Sequence, residues 1–169
     1  MNTSIILISL LLVLVVFVPF FILNSSGKSG IKLISKKVKE IAKEERLKFD
    51  LKEGWACSFI AIDRTQKILV FSKLVDGEVL LEKIALDQVE KSAIQKKVRL
   101  EKTNTGNANV LQRLDLSITF LGSQKEIISL NFYDAEDTCT EDYEMQRAEK
   151  WETVINEAIK AIPKERKVA

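Results

Sequence analysis

The segment VLQRLDLSITFL, Val110–Leu121, alternates apolar and polar residues along most of its length. The apolar members fall on one face of an extended chain and the polar members on the other: Leu114, Leu116, Ile118 and Phe120 against Arg113, Asp115, Ser117 and Thr119. A period of two with one dry face and one wet face is typical of a strand in an antiparallel sheet. We therefore predict a sheet-based domain around this segment.

The flanking sequence extends the sheet in both directions. Downstream, Gly122 and Ser123 predict a turn into a strand over Glu126–Tyr133. Upstream, Trp55–Asp63 and Lys67–Val75 are rich in β-branched and aromatic residues and predict a hairpin.

Three further segments complete the predicted meander. Asp76-Gly77 is a strong hairpin-turn signal and leads into a strand over Glu78–Ile84. Ser92–Leu100 alternates again, and Thr103–Asn109, TNTGNAN, predicts a loop.

The chain is predicted to end in an amphipathic helix. Thr138 and Glu141 have the spacing of a capping box, in which each side chain bonds a backbone N–H at the helix start. Apolar residues then recur at helical spacing: Tyr143, Ala148, Trp151, Ile155, Ala158, Ile159 and Ile162. We predict one β domain with this helix over residues 51–162, and a tail over residues 163–169.

The N-terminus has a different composition. Ile5–Leu23 is apolar apart from Ser9 and Pro19 and contains no charge. As a helix it would measure about 28 Å, close to the thickness of a hydrocarbon core. We predict a membrane anchor over residues 1–23, with these positions inside the bilayer: Ile5, Leu11, Val15, Phe20 and Leu23. A cleavage site near Ser25 stays open, although the first four residues lack the basic charge of a signal peptide.

The segment over residues 24–50 is predicted to be a polar hinge followed by a basic amphipathic stalk helix. Its lysines precede the first acid, Glu40, so the positive-inside rule predicts a cytoplasmic domain. The candidate lipid-surface contacts are Lys28, Lys32, Lys36, Lys37 and Lys39. We favour the other interpretation, in which the apolar stripe of the stalk packs on the domain itself or on a second copy of the chain, because Glu44 and Glu45 interrupt the basic face.

Composition restricts the chemistry. The chain has 26 Lys and Arg, 24 Asp and Glu and no His. Balanced charge and few aromatic residues argue against a nucleic-acid partner, and the missing histidine excludes histidine-based triads and metal sites. We predict neither cofactor nor metal. The two cysteines, Cys57 and Cys139, suit a reducing compartment, and a bridge between them stays open if the orientation is reversed.

The order of hairpins followed by a helix resembles the pleckstrin-homology-like (PH-like) family of bacterial membrane proteins. The residues that carry the resemblance are Phe59–Asp63, Lys67–Phe71 and Ile84–Val89. It implies an α+β fold in which an antiparallel barrel or sandwich of six to seven strands is capped by the C-terminal helix, with Trp151 as a plug at one open end. The first hairpin has too few basic residues for a phosphoinositide site, and none is carried over.

These features together predict a single-pass membrane protein that presents a non-enzymatic binding or scaffolding module at the cytoplasmic face. Its partners would be the lipid bilayer and a protein, or a second copy bound through the stalk helix. One alternative is a small membrane-bound hydrolase using loop carboxylates, which a concave pocket with two or more convergent acids would favour. The other is an exported domain anchored on the outer side.

Overall fold

The structure, a computed structural model, describes residues 30–103, 106–122, 126–137 and 143–162. A first helix, α1, spans residues 30–44. The strands are β1 Leu51–Trp55, β2 Ser58–Asp63, β3 Ile68–Val75, β4 Glu78–Ala85, β5 Val89–Thr103, β6 Gly106–Phe120 and β7 Ile127–Asp134. The second helix, α2, spans Glu144–Ala161.

The strands form two antiparallel sheets joined by a single 3₁₀ turn, Leu86–Gln88. One sheet has the order β1-β2-β3-β4 and the other β5-β6-β7. The β3–β4 connection is the predicted Asp76-Gly77 turn, in which both residues have positive φ, 52° and 82°. Only such turns match the right-handed twist of the flanking strands, so this dipeptide sets the hairpin register.

The main core lies between the two sheets and α2. Alternate residues of the strands supply it, including Ile60, Leu69, Leu116 and Ile118, and Trp151 of α2 lies at its centre. A half-buried sheet needs this alternation, since successive side chains point to opposite faces.

Helix α1 covers the opposite face of the four-stranded sheet. Its Ile34 and Val38 are buried, and a Cβ placed on Gly54 of β1 would lie 3.0 Å from Ile31 Cδ1. At its other end Glu45 forms a 2.7 Å ion pair with Lys83 of β4. The stalk segment therefore packs on the domain's own sheet.

The predicted fold class needs correction, because neither sheet closes into a barrel among the described residues. The physical reason is visible at β5, whose edge N–H groups are bonded by helix side chains and not by another strand. Ser92 N–H donates to Asn156 Oδ1 at 2.9 Å, and Ile94 N–H donates to Glu152 Oε1 at 3.1 Å. The helix thus lies along an open edge and does not plug a closed barrel.

The predicted transmembrane anchor and single-pass location are corrected as well. Among the described residues no helix combines the length and the apolar character needed to cross a membrane. Helix α2 is long enough, but it carries charges on every turn, such as Arg147, Lys150 and Glu157. The anchor predicted over Ile5–Leu23 lies outside the described residues.

Three local predictions also differ from the structure. The loop expected over Thr103–Asn109 is wrong, because β5 continues to Thr103 and β6 begins at Gly106. The capping box at Thr138 lies outside the described residues, and the N-cap of α2 is Tyr143, with φ 73° and no side-chain cap. The strand predicted over Trp55–Asp63 is interrupted by a turn that separates β1 from β2.

Candidate functional site

A cleft of about 290 Å³ lies between the β3–β4 hairpin and strand β7. The hairpin contributes apolar and acidic side chains, and the second sheet contributes mainly polar ones. The residues lining the cleft are Phe71, Lys73, Val75, Leu80, Glu82, Arg113, Ser129, Asn131, Asp134 and Asp137. Its size is at the lower end of ligand pockets, enough for a short segment or a few side chains.

Lys73 connects the two walls of the cleft. Its side chain is only 12% exposed and forms a 2.5 Å ion pair with Asp137. The same ammonium donates a hydrogen bond to Asn131 Oδ1, and Asn131 in turn donates to Asp115 Oδ1 at 2.8 Å. The charge of Lys73 is therefore fully engaged within the protein, which makes it a cross-link between the sheets.

Arg113 occupies the rim, in the middle of β6 and opposite the last residue of β7. Its guanidinium lies 2.7 Å from Asp115 and 3.4 Å from Asp134. Two carboxylates on one guanidinium raise the pKa of Arg113, and the hydrogen bond that its Nε donates to Asp115 is the largest cause. Like Lys73, Arg113 is already bound by acids of the domain, so the cleft offers no cation for an anionic ligand.

The remaining surface of the cleft is acidic and apolar. Three acids and two bases line the whole cleft, and both bases are paired with acids. Within the described part of the chain no cation pairs with the third acid, Glu82. Leu80 lies across from Lys73 in the β3–β4 register and is 53% exposed. Such a surface favours a ligand that combines a positive charge with an apolar group.

A separate cluster fixes α2 against β1. Glu53 accepts hydrogen bonds from Arg147 at 3.0 Å, Lys150 at 2.8 Å and the Trp151 indole N–H at 3.0 Å. The Arg147 guanidinium also lies 4.8 Å from the ring centre of Trp55, a cation–π distance. Burial raises the pKa of Glu53, but the hydrogen bonds from Lys150, Arg147 and Trp151 outweigh burial and hold it below 4.5.

We expect this cluster to make stability depend on acid pH. Because the folded-state pKa of Glu53 is lowered, its stabilisation is complete above 4.5 and is lost as the pH falls through the folded value. The variant Glu53→Gln should therefore be less stable than the wild type at about pH 7, and the gap should narrow by about pH 3. Urea unfolding of both proteins at each pH measures this difference in the free energy of unfolding.

The matched control is Glu157→Gln, which removes an exposed carboxylate from the same helix. It should leave the free energy of unfolding within about 0.5 kcal/mol of the wild type at both pH values. A Glu53→Gln deficit of equal size at both values would contradict the role of the charge.

Cys57 is disulfide-bonded, and the only other cysteine of the sequence, Cys139, lies outside the described residues. Cys57 is buried in the turn between β1 and β2, and its carbonyl accepts a hydrogen bond from Leu74 N–H at 2.8 Å. A disulfide at Cys57 differs from the free thiols that are expected in a reducing compartment.

The sequence-predicted site residues are spread over different parts of the chain. The five bilayer positions and Lys28 lie outside the described residues. Lys32, Lys36 and Lys39 are exposed on α1, whereas Lys37 donates to the Val79 carbonyl at 3.2 Å. Trp151 is fully buried beneath Glu53. None of these residues lines the cleft.

The cleft and the Glu53 cluster were missed by sequence reasoning, although signals for the cleft exist. Lys73 falls in the inward register of β3, two residues after Phe71, where an apolar residue would be expected. Val79, Leu80 and Leu81 are three consecutive apolar residues in one strand, so at least one must face away from its sheet's covered side. Glu53 gave no signal, because β1 was not predicted as a strand.

Comparisons with protein-family models, with curated proteins and with solved structures give no match for this chain. The resemblance to the PH-like family therefore stays a prediction.

Proposed function

We propose that this domain is a non-catalytic binding module that acts outside the reducing cytosol. Its ligand is an extended segment of a protein partner that carries basic and apolar side chains. The observation that carries the proposal is the cleft between the β3–β4 hairpin and β7, which has an excess of acid and an exposed apolar wall.

The chemistry of the ligand follows from what the cleft leaves unsatisfied. Among the described residues no cation pairs with the Glu82 carboxylate, and Leu80 and Val75 provide apolar surface that water covers in the free protein. A basic side chain would meet Glu82 while its apolar neighbour covers Leu80. Covering apolar surface contributes roughly 25 cal/mol per Å² before the costs of association are subtracted.

The compartment follows from the cysteine chemistry. The disulfide at Cys57 persists where the surroundings are oxidising, as they are outside the cytosol. This supports the exported alternative for the location of the domain.

The test is a peptide titration of the isotope-labelled full chain, followed by NMR. An acetylated, amidated Lys-Leu-Lys-Leu peptide should shift backbone signals of Leu80, Ser129 and Asn131, whereas the Glu-Leu-Glu-Leu peptide should not. Glu82→Lys should weaken the binding of the Lys-Leu-Lys-Leu peptide about tenfold or more. Glu157→Lys on α2 should leave that binding unchanged. Equal shifts with both peptides, or none with either, would refute the proposal.

A carboxylate hydrolase is the second candidate, because the cleft brings Glu82, Asp134 and Asp137 together. Two of these acids already bind Arg113 and Lys73, which leaves Glu82 as the acid without a partner among the described residues. Turnover of nitrophenyl ester or glycoside substrates that disappears in Glu82→Gln would favour this candidate over the binding module.

A further inference from the structure

The long β5–β6 hairpin extends beyond the three-stranded sheet. Strand β7 pairs with β6 only from Thr119 to Arg113, whereas β5 and β6 stay paired as far as Thr103 and Gly106. We call the extension the ribbon and define it as residues 95–103 and 106–112. Within the part of the chain that the structure describes, no third strand pairs with either side of the ribbon.

The surface of the ribbon is basic and apolar. Every residue from 95 to 100 is exposed, and this run contains Lys96, Lys97 and Arg99 but no acid. The same run contains two large apolar residues, of which Val98 is 55% exposed and Leu100 is 70% exposed. Large apolar side chains left in water next to one another typically mark an interaction surface.

The ribbon and the cleft have complementary chemistry. The cleft has three acids, two bases and the exposed Leu80, whereas residues 95–100 of the ribbon have three bases, no acid and the exposed Val98 and Leu100. Opposite charge steers the encounter, and the apolar side chains supply contact area at the centre.

The positions of the ribbon and the cleft bear on whether a ribbon binds the cleft of its own chain or the cleft of a second copy. The ribbon begins where β7 ends, at the Arg113–Asp134 pair, and these two residues also form part of the cleft. The ribbon therefore extends from the edge of the cleft, beyond the end of β7. A second copy related by a two-fold axis can place its ribbon over this cleft while its own cleft receives the first ribbon.

We propose that the cleft binds the ribbon of a second copy of this chain, which gives a dimer with reciprocal exchange of ribbons. The inference rests on the proposed function of the cleft and names its partner. Each dimer contains two identical contacts, with Lys96 facing Glu82 and with Leu100, on the same face of β5, against Leu80.

The test is sedimentation velocity of the full chain at low salt over a wide range of concentration. The wild type should form dimers. A ribbon variant, Lys96→Glu with Lys97→Glu, and a cleft variant, Glu82→Lys, should each dissociate about tenfold or more readily. Leu100→Ser should weaken the dimer without a change of charge. About 1 M salt should weaken the wild-type dimer, because screening then acts within about 3 Å.

Two combinations separate a direct contact from an indirect effect. A chain carrying Lys96→Glu together with Glu82→Lys should recover dimerisation, because the charges are exchanged. An equimolar mixture of ribbon and cleft variants should form mixed dimers, since one natural contact is restored. Circular dichroism confirms that each variant is folded, and all the substituted side chains are exposed.

Distinct results would overturn the inference. A wild type that stays monomeric at every concentration refutes it, and so does a dimer insensitive to both sets of variants. If the Lys-Leu-Lys-Leu peptide binds the cleft but the chain stays monomeric, the proposed function stands and the second copy is not the partner. Binding of anionic vesicles by the monomer, lost in the ribbon variant, would assign the ribbon to a lipid surface instead.

Discussion

Replacing Trp151 with alanine should lower the free energy of unfolding by about 3–5 kcal/mol. Its side chain is fully buried at the centre of the core, so truncation leaves a cavity that the two sheets cannot fill without moving. The indole N–H is also lost as a donor to Glu53. Since domains are stable by only about 5–15 kcal/mol, this single change removes a large share of the total. Urea unfolding followed by circular dichroism measures it.

Two further variants separate the contributions to that effect. Trp151→Phe keeps most of the apolar volume but removes the donor to Glu53, so its cost should be clearly smaller than that of alanine. Leu33→Ala truncates an apolar side chain that is 52% exposed, and it should cost less than about 0.5 kcal/mol. If Trp151→Ala cost no more than Leu33→Ala, the packing of α2 described here would be wrong.

Reduction of the disulfide should destabilise the domain by about 2–4 kcal/mol. Cys57 is bonded, and the sequence has one other cysteine, Cys139, so a bridge within the chain would close a loop of roughly 80 residues. In the chain-entropy model such a loop restricts the unfolded chain strongly, and its removal restores that freedom. Urea unfolding with and without a thiol reductant measures the difference.

The control is a chain with both Cys57→Ala and Cys139→Ala. Its stability should match that of the reduced wild type within about 1 kcal/mol and should not respond to the reductant. Free thiols in protein isolated from its own cells under alkylating conditions would refute the oxidising compartment. An unchanged unfolding curve on reduction of the wild type would refute the stabilising role of the bridge.

Local patterns predicted much of the secondary structure. The alternation around Leu116 and the Asp76-Gly77 turn lie where the structure has β6 and the β3–β4 turn. The helical stripe containing Ile34 and Val38 lies on α1. These features depend on neighbours within a few residues, so the period of the sequence is enough to detect them. The loop over Thr103–Asn109 failed because Asn, Gly and Thr are poor strand formers in isolation, and cross-strand pairing overrode that preference.

Long-range features could not be predicted in the same way. Lys73 and Asp137 are 64 positions apart and Glu53 and Trp151 are 98 apart, so no local period connects them. Whether a barrel closes depends on which groups bond the N–H and C=O groups of each edge strand. At the edge of β5, side chains of α2 accept these hydrogen bonds in place of another strand.

By itself the sequence determined that this is an antiparallel sheet protein with a C-terminal amphipathic helix and no histidine chemistry, because composition and periodicity are local properties of the chain. Only the tertiary structure decided that the sheets stay open, that Cys57 is oxidised, and that Leu80 and Glu82 line a cleft beside the ribbon. The physical reason is that burial and pairing depend on which distant segments come into contact, and the energies of those contacts compete with one another across the whole fold.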